Sequence, residues 1–413
     1  MYKNKHYFTR LICSFFLLAT AQAQPVQNLK TWLSADAGKR ASFNSQKFIH
    51  LALSKKESDE AASVLLMDAY KQLRSSLSGG WTNKAIIKDY DTLKFEYKIF
   101  GEKPADGRSL FISMHGGGNA PPAVNNQQWK NQIGLYKPAE GVYVAPRSPT
   151  NTWNMWHEAH IDTLFDELIH AAVLFEGVNR DKVYIMGYSA GGDGVYQLAP
   201  RMADHWAAAA MMAGHPNETS PLSLRNIGFT LHMGAVDSAY NRNLIARQWK
   251  EMLDSLEKAD FGGYKHFVQL HEGRAHWMNR EDTVALPWMM KFKRNTIPGK
   301  VVWKQDDVHH DSFYWLAVSA ASTQTAGEVI ARLKGNEINI EKNYSDTLFI
   351  RLNDTMMNLD RPVILKYEGQ TIYEGKVQRN ISTIYKTIQD RKDPGLVFCS
   401  ELMIVKGKLV TGN

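Results

Sequence analysis

Between residues 90 and 295, short and continuously apolar runs alternate with longer amphipathic ones. LKFEYKIFG, SLFISMHGGG, GVYVAP, KVYIMG, AAAAMMAG, FTLHMGAVD and HFVQLHEG read as strands, while HIDTLFDELIHAAVLFEG and NRNLIARQWKEMLDSLEKA between them carry helical spacing. A strand that is apolar on both faces must be covered on both faces, and strands separated by helices pair in parallel. The alternation therefore predicts an α/β fold, with a doubly wound, mostly parallel sheet over residues 86–297.

The flanks read differently. Residues 24–85 predict an N-terminal helical extension: SQKFIHLALSKKESDEAASVLLMDAYKQLR has helical spacing, and Ser78, Gly79 and Gly80 are expected to end it. Over residues 298–413, DTLFIRL, RPVILKY and QTIYEGKV alternate with the turns NLD and EGQ, which predicts a small β-rich domain, a sandwich being one form. NISTIYKTIQDR adds a late helix.

Residues 1–23 predict a cleaved secretory signal. MYKNKHYFTR is basic, LICSFFLLATA is apolar and short, and AQAQ supplies small residues, with cleavage expected after Ala23. The protein is thus expected to be exported, to the periplasm or beyond, with no stable membrane span. The formal charge of the whole chain is +7; Lys3, Lys5 and Arg10 leave with the signal, so the mature chain carries about +4. Its basic residues are scattered, which speaks against a nucleic-acid partner. Of the two cysteines only Cys399 remains, so no intramolecular disulfide can form.

Four motifs carry chemistry. In KVYIMGYSAGGDGVYQ an apolar strand stops at Gly187, Ser189 follows between glycines, and a helical run begins. A nucleophile on such a sharp strand-to-helix turn presents its oxygen at the carboxyl end of the sheet, and the Ala190 N–H can donate to a developing oxyanion. A plain Gly-rich turn is the competing reading. His115, Gly116, Gly117 and Gly118 close an early strand, where glycines let a second backbone N–H approach a substrate oxygen; Gly117 or Gly118 is the candidate donor. No G-K-[ST] follows, which weakens a nucleotide-binding reading.

A serine needs a base, and the base needs an orienting acid. Asp237, just past a strand, is the candidate acid, with a helix cap or turn role as its alternative. His276, in the loop after the next strand, is the candidate base; His271 competes but still sits at the strand's end. Asp193 in the first turn after the serine is read as stabilising that helix N-terminus. Trp153, Trp156 and His157 in PRSPTNTWNMWHEAHID lie on the same rim and could form a platform for a sugar or an aromatic acyl group, or simply pack the loop. Asp306, Asp307, His309, His310 and Asp311 look like a metal cluster, but read more simply as a solvated turn. No metal and no cofactor is expected.

With HGGG, YIMGYSAGGDG, GAVD and GRAHW in place, residues 90–295 resemble the α/β-hydrolase superfamily. They look most like exported bacterial esterases grouped with poly(3-hydroxybutyrate) depolymerases and feruloyl or acetylxylan esterases. The resemblance implies Ser189 as nucleophile, Asp237 as acid, His276 as base, and Ala190 with Gly117 as oxyanion hole. Related secreted esterases often carry a cysteine near the W-x-x-W loop, whereas NTWNMWHE has none. The tract QDDVHHDSFYWLAV and LNDTMMNLDRPV resembles C-terminal regions appended to other bacterial hydrolases.

The expected function is a secreted serine hydrolase cleaving a small-molecule or polysaccharide-linked carboxylic ester. Two alternatives stand beside it. One is a serine peptidase of the prolyl oligopeptidase kind, although only a short helical segment precedes the catalytic region here. The other is a non-catalytic binding protein on a hydrolase fold.

Overall fold

The computed structural model describes residues 24–410; the expected signal segment lies outside them. The chain enters through α1 (Pro25–Ser34) and α2 (Lys55–Thr82). Ser54 and Glu57 form a reciprocal capping box at the start of α2, with Glu57 N–H donating to Ser54 Oγ at 3.3 Å and Ser54 N–H to Glu57 Oε2 at 2.8 Å. Contrary to the sequence expectation, α2 does not stop at Gly79 and Gly80 but runs on to Thr82. Each glycine costs a helix interior about 1 kcal/mol relative to alanine. The packing of Trp81 outweighs that cost: it is buried against Phe95 and Tyr97, and its indole N–H donates to Glu176 Oε1 at 2.9 Å.

The main sheet has eight strands: β1 (Ala85–Lys88), β2 (Asp91–Phe100), β3 (Arg108–Met114), β4 (Gly141–Arg147), β5 (Val178–Tyr188), β6 (Ala208–Met212), β7 (Gly228–Gly234) and β8 (His266–His271). Their spatial order is β1-β2-β4-β3-β5-β6-β7-β8. From β4 to β8 every pairing is parallel, whereas β1 and β2 add an antiparallel edge. The helices between them are α3 (Pro122–Ile133), α4 (His160–Glu176), α5 (Ala190–Arg201), α6 (Arg242–Ala259) and α7 (Ala285–Met289). β4, β6 and β7 are buried along their whole length, which is why they read as unbroken apolar runs. The fold is α/β with a doubly wound, mostly parallel sheet.

Beyond it the chain forms two further five-stranded sheets. One uses residues 300–304, 328–334, 337–342, 363–367 and 370–375; the other uses residues 312–313, 316–318, 347–352, 400–405 and 408–410. A helix, α8 (Ile381–Arg391), follows the strand at 370–375 and packs on α2. The buried apolar side chains of the N-terminal helices, the main sheet and the C-terminal sheets form one contiguous cluster.

Ion pairs also join these parts. Arg201, the last residue of α5, binds Asp162 of α4 through Nε at 2.9 Å and Nη2 at 2.6 Å, and His310 Nε2 reaches the same carboxylate at 2.8 Å. Arg294 lies between Asp181, at 2.9 Å, and Asp393, at 2.5 Å. Asp204 holds Arg391 and His205, both at 2.8 Å, and accepts the Tyr314 N–H at 3.0 Å. The single described cysteine, Cys399, is free and buried.

Candidate active site

β5 ends in Tyr188, and the chain turns into α5 through Ser189, whose backbone lies at φ 58°, ψ −122°. A non-glycine residue rarely adopts a positive φ, and only rigid surroundings hold it there. Those surroundings have no room for side chains. A Cβ on Gly187 would sit 2.1 Å from Gly191 O, and one on Gly191 would sit 2.2 Å from Met114 O. The two glycines thus let the start of α5 press against its own strand and the end of β3.

The Ser189 hydroxyl meets His276 Nε2 at 3.0 Å, and His276 Nδ1 meets Asp237 Oδ2 at 2.8 Å. Asp237 is 3% exposed, whereas the His276 side chain is 43% exposed. Asp237 therefore anchors from beneath, and the imidazole faces the cleft. The acid and base loops, after β7 and β8, are tied together: Ala235 N–H donates to His271 O at 2.9 Å and Val236 N–H to Arg274 O at 3.0 Å. Tyr188 clamps the base loop from below. Its hydroxyl donates to His276 O at 2.6 Å and accepts the Met278 N–H at 3.0 Å.

His271, the competing base, does not approach Ser189. It is buried beside His232, with ring nitrogens 3.2 Å apart, and faces Glu281 at 3.4 Å. Asp237 caps no helix: its carboxylate is committed to His276, and the residue before α6 is Asn241. Asp193 likewise does not orient His276. Its Oδ1 accepts the His215 N–H at 2.6 Å. Burial pushes the Asp193 carboxyl up to about 6, against the opposing pull of the His215 amide and the Arg242 charge.

The HGGG loop closes over the serine. A Cβ on Gly116 would lie 3.1 Å from Ser189 Cβ. Gly117 and Gly118 both have positive φ, 113° and 80°. The Gly118 N–H is spent on Asn125 Oδ1 at 2.8 Å, which leaves Gly117 as the stronger of the two candidate donors. His115 is locked below the loop, its Nδ1–H on Gly116 O at 2.6 Å and its Nε2 accepting from Ser148 N–H at 3.3 Å. Burial pushes the His115 ring down to about 4, so it is neutral.

The aromatic platform expected from the sequence is corrected here. Trp153 is 59% exposed and lines a cleft beside Ser189. Trp156 is fully buried and donates its indole N–H to His115 O at 2.9 Å, so it supports the loop rather than a substrate. His157 is buried too, standing edge-on to Trp153 at 5.6 Å. The tract from Asp306 to Asp311 is likewise not simply a solvated turn. His310 pairs with Asp162 and His309 with Thr325, while the carboxylates of Asp306 and Asp307 gather with Glu218 within 4.8 Å of one another.

Asn217, Tyr240 and Arg242 also line the cleft beside Ser189, and sequence reasoning did not find them. Arg242, the first residue of α6, follows Asp237 by five residues, a proximity that could have flagged it. Asn217 stands in the connection after β6, which carries no motif. Among the described residues, no helix is long and apolar enough to cross a membrane.

The sheet, the sharp turn at Ser189 and the chain order Ser, Asp, His make this an α/β-hydrolase fold. No protein-family model matches the chain, and no curated protein matches it at a significant level. Several solved structures do. A thermostable esterase is 17% identical, with a TM-score of 0.39, over 51% of this chain and 62% of its own. A ferulic acid esterase is 14% identical, with a TM-score of 0.37, over 50% and 96%. A carboxylesterase from Mesorhizobium loti is 16% identical, with a TM-score of 0.33, over 50% and 98%. The chain spans less than two thirds of the first of these.

Proposed function

We propose that the protein is an exported serine esterase, acting on a small-molecule or polysaccharide-linked carboxylic ester. The observation that carries this reading is the unbroken contact chain from Ser189 Oγ through His276 to Asp237, at 3.0 and 2.8 Å. His276 takes the Ser189 proton as the hydroxyl attacks the ester carbonyl. Asp237 holds the imidazole with its other nitrogen protonated and stabilises the imidazolium that forms.

The tetrahedral oxyanion is received by the Ala190 N–H at the start of α5 and the Gly117 N–H. Each such donor contributes about 10²–10³ in turnover. His276 then gives its proton to the leaving alcohol, and water, activated by the same imidazole, releases the acid from Ser189. The basic, apolar and small-residue pattern of residues 1–23 supports export, with cleavage after Ala23.

The test is hydrolysis of p-nitrophenyl acetate by the mature chain, together with covalent labelling by a fluorophosphonate. Wild-type protein turns over and labels, and Ser189→Ala does neither. Full activity in Ser189→Ala would overturn the reading.

A further inference from the structure

Ser189 stands where two clefts meet. The larger, about 600 Å³, is walled by Val124, Leu135, Tyr188 and Trp277 together with the amides Gln128, Asn131 and Gln132, and the His276 ring opens onto it. The smaller, about 290 Å³, lies on the side of Gly118 and Ala190 and is walled by Trp153, Asp193, His215, Asn217, Tyr240 and Arg242. His276 is not part of its wall.

Proton geometry says which half of an ester goes where. The leaving oxygen must take its proton from the imidazole, so the alcohol lies on the histidine side. The acyl group stays bonded to serine and takes the other side. This assignment rests on the esterase reading above.

The smaller cleft contains unmet demand for oxygen. Arg242 Nε and Asn217 Nδ2 are both buried and have no hydrogen-bond partner among the described residues. Buried donors are normally satisfied, and an exception calls for an explanation. Arg242 is pre-set: its guanidinium lies over the Tyr240 ring at 4.8 Å and 3.9 Å from Asp237. Asp193, committed to His215 through one carboxylate oxygen, adds an acceptor to the same wall. An apolar acyl chain would leave all three groups unanswered.

We infer that the acyl half of the substrate is an oxygen-rich, hydroxyl-bearing acid of the sugar-acid type, and that the alcohol half is bulky. Hydroxyl oxygens accept from Arg242 and Asn217, and a hydroxyl hydrogen goes to Asp193. Trp153 and Tyr240, both exposed, offer flat faces to the ring of such an acid.

The experiment compares kcat/KM for a matched pair: benzyl glucuronate, with a polar acid and an apolar alcohol, and the phenylacetyl ester of glucose, with the polarity exchanged. The first is favoured at least roughly tenfold. Arg242→Met and Asn217→Ala each lower that preference; Arg242→Met also slows both esters, because it removes a charge 3.9 Å from Asp237, so its readout is the ratio of the two kcat/KM values. Equal or reversed preference in protein whose Ser189 still labels with a fluorophosphonate overturns this assignment and leaves the esterase reading standing. An equal fall on both esters in the two variants overturns the recognition role of these side chains. No labelling and no turnover of either ester overturns the esterase reading and this inference with it.

Discussion

The catalytic rim and the seam that ties the C-terminal sheets to the main sheet are built from the same side chains, with opposite results. In the seam, Asp393 is buried between Arg294 and Arg180, with Arg294 Nη1 at 2.5 Å and Arg180 Nε at 3.5 Å. Burial alone would raise the Asp393 carboxyl; the Arg294 and Arg180 charges outweigh it and hold it well below the usual carboxylate range. Asp204 is held down in the same way by Arg391 and His205. At the rim, Asp193 is buried without a close cation, and its carboxyl moves up. Charge balance separates the two regions: each seam carboxylate faces two close cations, whereas Asp193 faces none.

The largest expected contrast comes from cutting each region once. Ser189→Ala lowers kcat on p-nitrophenyl acetate by at least about 10⁴, and differential scanning calorimetry finds Tm within about 2 °C of wild type. Asp393→Ala does the reverse. It leaves Arg180 as an uncompensated buried charge and Arg294 with Asp181 alone, and costs about 3–5 kcal/mol of stability in urea unfolding, while the folded fraction keeps its kcat. Loss of kcat at full stability in Asp393→Ala would erase the distinction.

Acid and base separate the regions next. Asp393 and Asp204 have folded pKa values below their unfolded ones, so their stabilisation is full above about pH 4 and is lost as pH falls through the depressed folded values. Asp193 has the opposite sign. Its contribution is full below about pH 4 and is lost as pH rises through about 6. Asp193→Asn therefore gains stability relative to wild type between pH 4 and pH 7, by roughly 3 kcal/mol. Unfolding free energies at those two pH values check it, and a gain that shrinks with rising pH contradicts it.

The smallest effect concerns Tyr188, which belongs to both descriptions, being a buried, fully paired group directly beneath the open site. Tyr188→Phe removes the donor to His276 O and the acceptor for Met278 N–H, and costs about 1–3 kcal/mol of stability. It also lowers kcat roughly tenfold by loosening the imidazole, an effect of about 1.4 kcal/mol. Stopped-flow single-turnover kinetics on p-nitrophenyl acetate measures the second effect. An unchanged acylation rate would restrict Tyr188 to a structural role.

The main sheet was legible because its strands are short, buried on both faces and separated by amphipathic helices. Ser189, Asp237 and His276 were legible because each lies just past such a strand, in a fixed chain order. The rest depended on contacts that no local pattern records. Asp162 meets His310 148 positions away, and Arg294 meets Asp393 99 positions away. For Trp156 the sequence allowed either a platform or loop packing; the loop folds back so that its indole serves His115, and packing holds. The helix stop expected at Gly79 and Gly80 failed because local propensity is worth less than burying Trp81. Asn217 and Arg242 became visible only when the connection after β6 and the start of α6 were brought to one wall.

The backbone at Ser189 carries one more consequence. A serine at φ 58° is uncomfortable by about 1–3 kcal/mol, and a glycine in its place would be at ease. Ser189→Gly should therefore melt higher than wild type while doing no chemistry. On that measure the native chain is not the most stable protein its fold allows: it gives up part of a small margin of stability, about 5–15 kcal/mol for a typical domain, to hold one hydroxyl group where a substrate can reach it.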